Sequence, residues 1–141
     1  MHPDIFGTVV ATESVSIEFS RLVATDPRFL ELKFPNFLEI LNFNEIHRNL
    51  IGNHKLHRGE IDSISLAGEL DADALLIDER AGRSAASDLG LRCVGILGIL
   101  LQAKTQGLIG DVGSRLDRLR DEAGFWISPS LLRKILEVAG E

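Results

Sequence analysis

The chain has 141 residues, of which 45% are hydrophobic and 26% are charged, and its formal net charge is −6 at pH 7. This length and composition predict one soluble globular domain, and the negative charge argues against a protein that binds polyanions over its whole surface. The single cysteine, Cys93, excludes an internal disulfide and favours a reducing, cytoplasmic location. The apolar stretch Cys93 to Leu101 is far shorter than the roughly 20 residues of a membrane span.

The first 50 residues give mixed secondary-structure patterns. The β-branched run Phe6 to Ala11 predicts a strand, and Thr12 is a suitable N-cap for a helix that should end before Asp26-Pro27. Phe29 to Phe34 alternates in hydropathy and predicts a weaker strand. Asn36 to Leu50 carries apolar residues at irregular helical spacing and predicts one or two helical pieces.

Three histidines follow closely on one another and raise the question of a zinc site. His47, His54 and His57 lie on both sides of Gly52-Asn53, which breaks any regular element. A zinc site needs its ligands held on rigid elements, so we interpret these histidines as solvated loop residues.

From residue 59 onward, helices and strands alternate. Apolar periodicity predicts helices over Gly59–Leu70, Gly82–Leu89 and Leu97–Lys104, a helix that carries Val112 and Leu116 and ends at Gly124, and a last helix over Pro129–Val138 with Ser128 as its N-cap. Short apolar runs predict strands over Asp73–Ile77 and Leu91–Ile96. This alternation is typical of an α/β fold with a parallel sheet covered by helices.

Acidic residues follow the first of these strands and open the helix before it. The apolar run ends at Asp78-Glu79, Glu60 and Asp62 lie at the start of the preceding helix, and Glu18 lies on the first helix. Open α/β sheets bind ligands at the carboxyl ends of their strands, so these acids could meet there. Carboxylates without Cys or well-placed His suit Mg²⁺ or Mn²⁺, which can promote hydrolysis of a phosphodiester.

Each acid also has a purely structural interpretation. Glu60 and Asp62 could only stabilise a helix N-terminus through the helix dipole, and Asp78 could cap the helix that follows it. Other site types are not indicated, since the chain has no glycine-rich phosphate loop and no Gly-x-Ser-x-Gly elbow. Ser63 and Ser65 have no evident catalytic partner and are interpreted as residues on the helix surface.

Three stretches together resemble the PIN-domain superfamily, and specifically its uncharacterised VapC-like branch of predicted nucleic acid-binding proteins. They are Gly59-Glu-Ile-Asp-Ser-Ile-Ser-Leu-Ala67, Asp73-Ala-Leu-Leu-Ile-Asp-Glu-Arg-Ala-Gly-Arg83 and Leu89-Gly-Leu-Arg-Cys-Val-Gly-Ile-Leu-Gly98. Upstream, Phe6 to Val10 and then Val15 to Glu18 are similar to the family's second strand and glutamate-bearing helix. The resemblance covers nearly the whole chain and is strongest from residue 59.

The resemblance implies a single domain over residues 1–141 with a three-layer α/β fold, a mostly parallel sheet flanked by helices. It implies a ribonuclease dependent on Mg²⁺ or Mn²⁺, of the kind found as toxins in toxin–antitoxin pairs. Glu18, Asp62 and Asp78 fall on the family's catalytic and metal-binding positions, and Glu79 and Glu60 are neighbouring acids with less defined roles. The implied partners are RNA, an antitoxin protein and a second copy of the chain in a homodimer, in the cytoplasm.

One departure from the family concerns the amino terminus. The family begins with a central strand that ends in a metal-binding aspartate, and the present sequence starts beyond that strand. The expectation is therefore a PIN-like domain whose amino-terminal strand is missing. Either the true start of the protein lies upstream and supplies that aspartate, or the aspartate is lost. In the second case the alternative function is that of a catalytically impaired relic, or of a module that binds protein or nucleic acid without cleaving it.

Overall fold

The computed structural model describes residues 7–141, and this part of the chain mixes helices with short strands. Its four strands are β1 (Val9–Ala11), β2 (Leu38–Ile40), β3 (Leu75–Leu76) and β4 (Cys93–Val94). Its six α-helices are α1 (Glu13–Thr25), α2 (Arg58–Leu70), α3 (Arg80–Asp88), α4 (Ile96–Thr105), α5 (Gly113–Ala123) and α6 (Pro129–Val138). The predicted α/β class is confirmed.

The strands pair in parallel, as the alternation of helices and strands predicted. β1 pairs with β2, with Val9 opposite Leu38, and β3 pairs with β4, with Leu75 opposite Cys93. Within the described residues these are two separate two-stranded sheets. The second pair continues past β3, because the Ile77 amide donates to the Val94 carbonyl at 3.0 Å. The pairing therefore brings the chain after Ile77 to the same edge as the chain after Val94.

The predictions for the segment between α1 and α2 are wrong. Phe29 to Phe34 forms no strand, because Asp26 caps a 3₁₀ turn at Pro27–Phe29 by accepting the Arg28 amide N–H at 3.0 Å. The segment Asn36 to Leu50 holds β2 and a 3₁₀ turn instead of α-helices. Pairing with a distant strand overrode the local pattern here, as it often does for short apolar segments.

The predicted helix ends are confirmed where capping residues mark them. The Thr12 hydroxyl accepts the Val15 amide N–H at 3.3 Å, and the Ser128 hydroxyl accepts the Leu131 amide N–H at 3.2 Å. Gly124 ends α5 in the left-handed region, with φ of 69°, a conformation that glycine adopts without steric cost. The predicted strand at Phe6 to Ala11 is observed over Val9–Ala11, and Phe6 lies outside the described residues.

The chain divides into two compact units, one that ends at Gly95 and one from Ile96 to Glu141. In the first unit, α2 contacts α1, α3 and β3 and contributes Ile64 to a core of buried apolar side chains. The members of that core are Leu50, Leu56, Ile64, Ala67, Leu75, Ile77 and Ala86. No helix within residues 7–141 is long and apolar enough to cross a lipid bilayer. The single domain remains a prediction.

The second unit packs α4, α5 and α6 around a core of its own. Val112, Leu116 and Ile135 are buried at its centre. The Glu141 carboxylate accepts hydrogen bonds from the Val112 amide at 2.7 Å, the Gly113 amide at 3.0 Å and the Lys104 ammonium at 3.0 Å. These bonds, the two from the backbone first, lower the pKa of Glu141 from 4.5 to about 2.

We expect Glu141 to stabilise the second unit only while its carboxylate is ionised. Because the pKa is lowered in the folded state, the stabilisation is complete above pH 4.5 and is lost as the pH falls toward 2. Glu141→Gln should therefore be less stable than the wild type at pH 6, and the gap in melting temperature should close between pH 4.5 and 2. Glu137→Gln, at an exposed position on α6, serves as the control. A gap of constant size across this range would contradict the assignment.

Candidate active site

The helix α2 starts beside the acids that the sequence singles out. The His57 amide donates to Glu60 Oε1 at 2.9 Å and closes the first turn of the helix, a specific capping contact that differs from the helix-dipole role suggested by the sequence. The other oxygen, Glu60 Oε2, is buried and has no hydrogen-bond partner within residues 7–141. Buried polar atoms nearly always have partners, so this oxygen is an exception that is available to accept a further contact.

Asp62 lies two residues further along α2, and neighbouring side chains donate hydrogen bonds to both of its carboxylate oxygens. It is 3% exposed. Arg58 Nε donates to Asp62 Oδ1 at 2.8 Å, and the Ser14 hydroxyl of α1 donates to Asp62 Oδ2. Both carboxylate oxygens therefore have donors, and Asp62 links the start of α1 to the start of α2.

A pocket of about 480 Å³ opens beside this pair of helices. It is lined by three acids and two basic side chains: Glu18, His57, Arg58, Glu60 and Glu79. Like charges gathered in one pocket repel one another, and the Arg58 guanidinium offsets part of that repulsion. The three acids outnumber the one guanidinium, so the pocket carries a net negative charge.

Two of these acids pack directly against glycines. A methyl group on Gly59 would lie 3.0 Å from Glu18 Cδ, and one on Gly82 would lie 2.5 Å from Glu60 Oε2 and press on the end of the Ile77 side chain. Both glycines are buried, and neither has a positive φ. The requirement for glycine at these positions is therefore one of space for the carboxylates.

Asp78 packs against a third glycine, Gly95, in the same way. Asp78 lies just after the carboxyl end of β3. A methyl group on Gly95 would lie 2.9 Å from Asp78 Oδ1 and 3.2 Å from Arg83 Nη1. The N-cap of α3 is Glu79, so the alternative in which Asp78 caps that helix is wrong. The parallel pairing of β3 with β4 is what brings Gly95 to Asp78.

The structure gathers a different set of acids from the predicted trio. Glu18, Glu60 and Glu79 line one pocket, and neither Asp62 nor Asp78 is among its lining residues. In the described part of the chain, no group of three or more His, Cys, Asp or Glu side chains is arranged to hold a metal ion. The joint metal role of Glu18, Asp62 and Asp78 stays a prediction.

Two residues of the site were not identified from the sequence. Ser14 and Arg58 hold Asp62, and the only sequence pattern that could have suggested one of them is the spacing of four residues between Arg58 and Asp62.

Ser65, predicted to lie on the helix surface, is 2% exposed. Its hydroxyl donates to the Ile61 carbonyl at 2.8 Å and accepts the His47 amide N–H at 3.0 Å.

A comparison with family models identifies the fold. A model described as a PIN domain matches residues 1–141. The chain belongs to the PIN-domain family. Membership suggests a nuclease and a protein that binds nucleic acid, as PIN domains commonly do. Searches of curated proteins and of solved structures gave no match.

The acidic pocket of this PIN domain fits a hard divalent cation in its donor chemistry. Mg²⁺ usually takes only one or two protein carboxylates and keeps several waters, so a cluster of three ligands is not required. Glu60 offers a buried oxygen without a partner, and Glu18 and Glu79 line the same pocket. These residues are suited to hold Mg²⁺ or Mn²⁺.

Proposed function

We propose that this PIN domain is a metal-dependent endoribonuclease of the toxin type, which hydrolyses RNA phosphodiesters with Mg²⁺ or Mn²⁺. The observation that carries the proposal is the buried, unpaired Oε2 of Glu60 in a pocket shared with Glu18 and Glu79. A buried carboxylate oxygen without a donor is costly, and a cation would remove that cost. Membership of a family that suggests nucleases supports the choice of reaction.

The side chains of the pocket have distinct roles in this proposal. Glu60 would hold the cation through Oε2, with Glu18 and Glu79 as further ligands directly or through water. The family resemblance also assigns Asp62 and Asp78 to the metal, although neither lines this pocket. When bound, such a cation supplies an activated water and charge stabilisation for an in-line displacement. Arg58 and His57 line the pocket and can donate hydrogen bonds to phosphate oxygens.

The biological setting is part of the same proposal. A toxin-type ribonuclease would be held by an antitoxin protein, would form a homodimer and would act in the cytoplasm. The resemblance to VapC-like proteins supports all three points. The lone cysteine suits a reducing compartment and so supports only the cytoplasmic location.

Cleavage of RNA in the presence and absence of metal tests the proposal. We expect hydrolysis of a labelled single-stranded RNA in Mg²⁺ or Mn²⁺, none in chelator, and none with Asp78→Asn. Asp73→Asn, at an exposed acid two residues before β3, is the matched control and should cleave as the wild type does. Cleavage that persists in chelator would rule out the metal mechanism.

A second candidate function is a catalytically impaired PIN domain that acts as an interaction module. It is favoured by Asp62, whose two oxygens already have donors in Ser14 and Arg58. Calorimetric titration with Mn²⁺ distinguishes the two functions. The ribonuclease should show a saturable site, which the impaired form should lack.

A further inference from the structure

A second and larger cleft lies in the first unit, with a volume of about 680 Å³. This is the size of pockets that bind small organic ligands, about 300–1,000 Å³, and it could hold a nucleotide but not a duplex. Its apolar floor includes Leu50 and Leu89. Its polar lining consists of Asn49, Asn53, Lys55, Arg80, Ser84 and Asp88. We call it the Lys55–Arg80 cleft.

The two basic side chains of this cleft are available to a ligand. Neither Lys55 nor Arg80 forms an ion pair with any residue of the described range 7–141. Asp88 is the one acid in the lining, so the cleft carries a local net charge of +1 in a chain of net charge −6. Asn53 accepts the Lys55 amide N–H at 3.0 Å through Oδ1, which leaves its amide nitrogen as a donor.

Apart from Glu18, the residues that line the acidic pocket follow or precede residues of the cleft closely in the sequence. Lys55 of the cleft is followed by His57 and Arg58 of the pocket, and Glu79 of the pocket is followed by Arg80 of the cleft. A ligand that extends along these segments would pass from the basic side chains to the acidic ones. This is the arrangement that a strand needs if one phosphate is to be held and the next is to be cleaved.

We propose that the Lys55–Arg80 cleft binds the backbone of single-stranded RNA next to the bond on which the acidic pocket acts. The inference rests on the proposed function and names the subsite that positions its substrate. Lys55 and Arg80 pair with phosphate oxygens. The amide, hydroxyl and carboxylate groups suit the 2′-hydroxyl, which both donates and accepts, and the apolar floor supports a sugar or base face.

Binding of a short labelled RNA in chelator tests this proposal without any cleavage. Fluorescence anisotropy would compare the wild type with the double variant Lys55→Ala/Arg80→Ala over a range of salt concentrations. We expect the dissociation constant to rise at least tenfold. The slope of log affinity against log salt should become shallower by about 1.4, since each phosphate contact to a single strand contributes about 0.7.

The control variant is Arg133→Ala/Lys134→Ala, which removes the same two charges from exposed positions on α6 and should bind as the wild type does. If the cleft variant binds like this control, the proposal is wrong. DNA of the same sequence should bind more weakly, and equal affinity for DNA would overturn the assignment to RNA. If the wild type binds RNA but never cleaves it, and the cleft variant loses this binding, the cleft assignment is supported and the ribonuclease function is refuted. If the wild type cleaves RNA and the cleft variant cleaves it equally well, the ribonuclease function is supported and the cleft assignment is refuted.

Discussion

Replacing Glu60 by glutamine is expected to stabilise the metal-free protein and to abolish its response to divalent cations. Glutamine keeps the oxygen that accepts the His57 amide N–H but removes the charge at the buried, unpaired position of Oε2. An unpaired charged group costs more than an unpaired neutral one, so the free energy of unfolding should rise by about 1 kcal/mol. RNA cleavage should fall by about 10²–10³-fold, the effect of removing one preorganised electrostatic contact.

Denaturant unfolding with and without Mn²⁺ measures both halves of this prediction. The wild type should gain about 2.7 kcal/mol when the Mn²⁺ concentration is 100 times the dissociation constant, whereas Glu60→Gln should gain nothing. Glu31→Gln changes the same functional group at an exposed position of the same unit and should behave as the wild type in both conditions. A Glu60→Gln protein that is still stabilised by Mn²⁺ would show that this oxygen is not a ligand.

Replacing Arg58 by glutamine is expected to increase the affinity for Mn²⁺ at least tenfold while lowering the stability of the metal-free protein. The Arg58 guanidinium pairs with Asp62 and lines the pocket that holds Glu18, Glu60 and Glu79. It therefore acts as a counter-ion for these acids. Without it the acids repel one another, and a divalent ion gains more by binding. Since Arg58 is 68% exposed, solvent screens the pair, and we expect a loss of about 1 kcal/mol.

Calorimetry with Mn²⁺ and unfolding in chelator test this expectation together. Arg28→Gln is the control, because it breaks a different ion pair of the same unit, with Asp26 at 2.7 Å, away from the pocket. Its affinity for Mn²⁺ should equal that of the wild type. An Arg58→Gln protein with no saturable Mn²⁺ site would instead favour the interaction module over the ribonuclease.

The second half of the fold was predictable because local and long-range preferences agree there. The helix at Arg58–Leu70 has a clear apolar face, and the predicted end of α5 at Gly124 is where the structure ends that helix. Between residues 29 and 50 the two kinds of preference conflict, since the pairing of Leu38–Ile40 with β1 spans more than 25 residues and leaves only a weak local pattern. Sequence periodicity reports the neighbours of a residue along the chain, so it missed this strand.

The acids of the site were also predictable, but their arrangement was not. Their positions at a helix start and a strand end are visible in the sequence, whereas the side chains that hold them come from elsewhere. The hydroxyl that binds Asp62 is 48 residues away, on Ser14. No spacing rule connects two such positions, and only the packing of α1 against α2 does.

The contacts of Glu18, Glu60 and Asp78 with Gly59, Gly82 and Gly95 have a consequence for reading relatives of this protein. An alanine at any of the three changes no charge and removes no ligand, yet it would displace an acid by the width of a methyl group. A relative can thus retain every acid and still have a reshaped pocket. When relatives are compared, the residues at these three glycine positions therefore indicate whether the acids keep the same placement, which the presence of the acids alone does not.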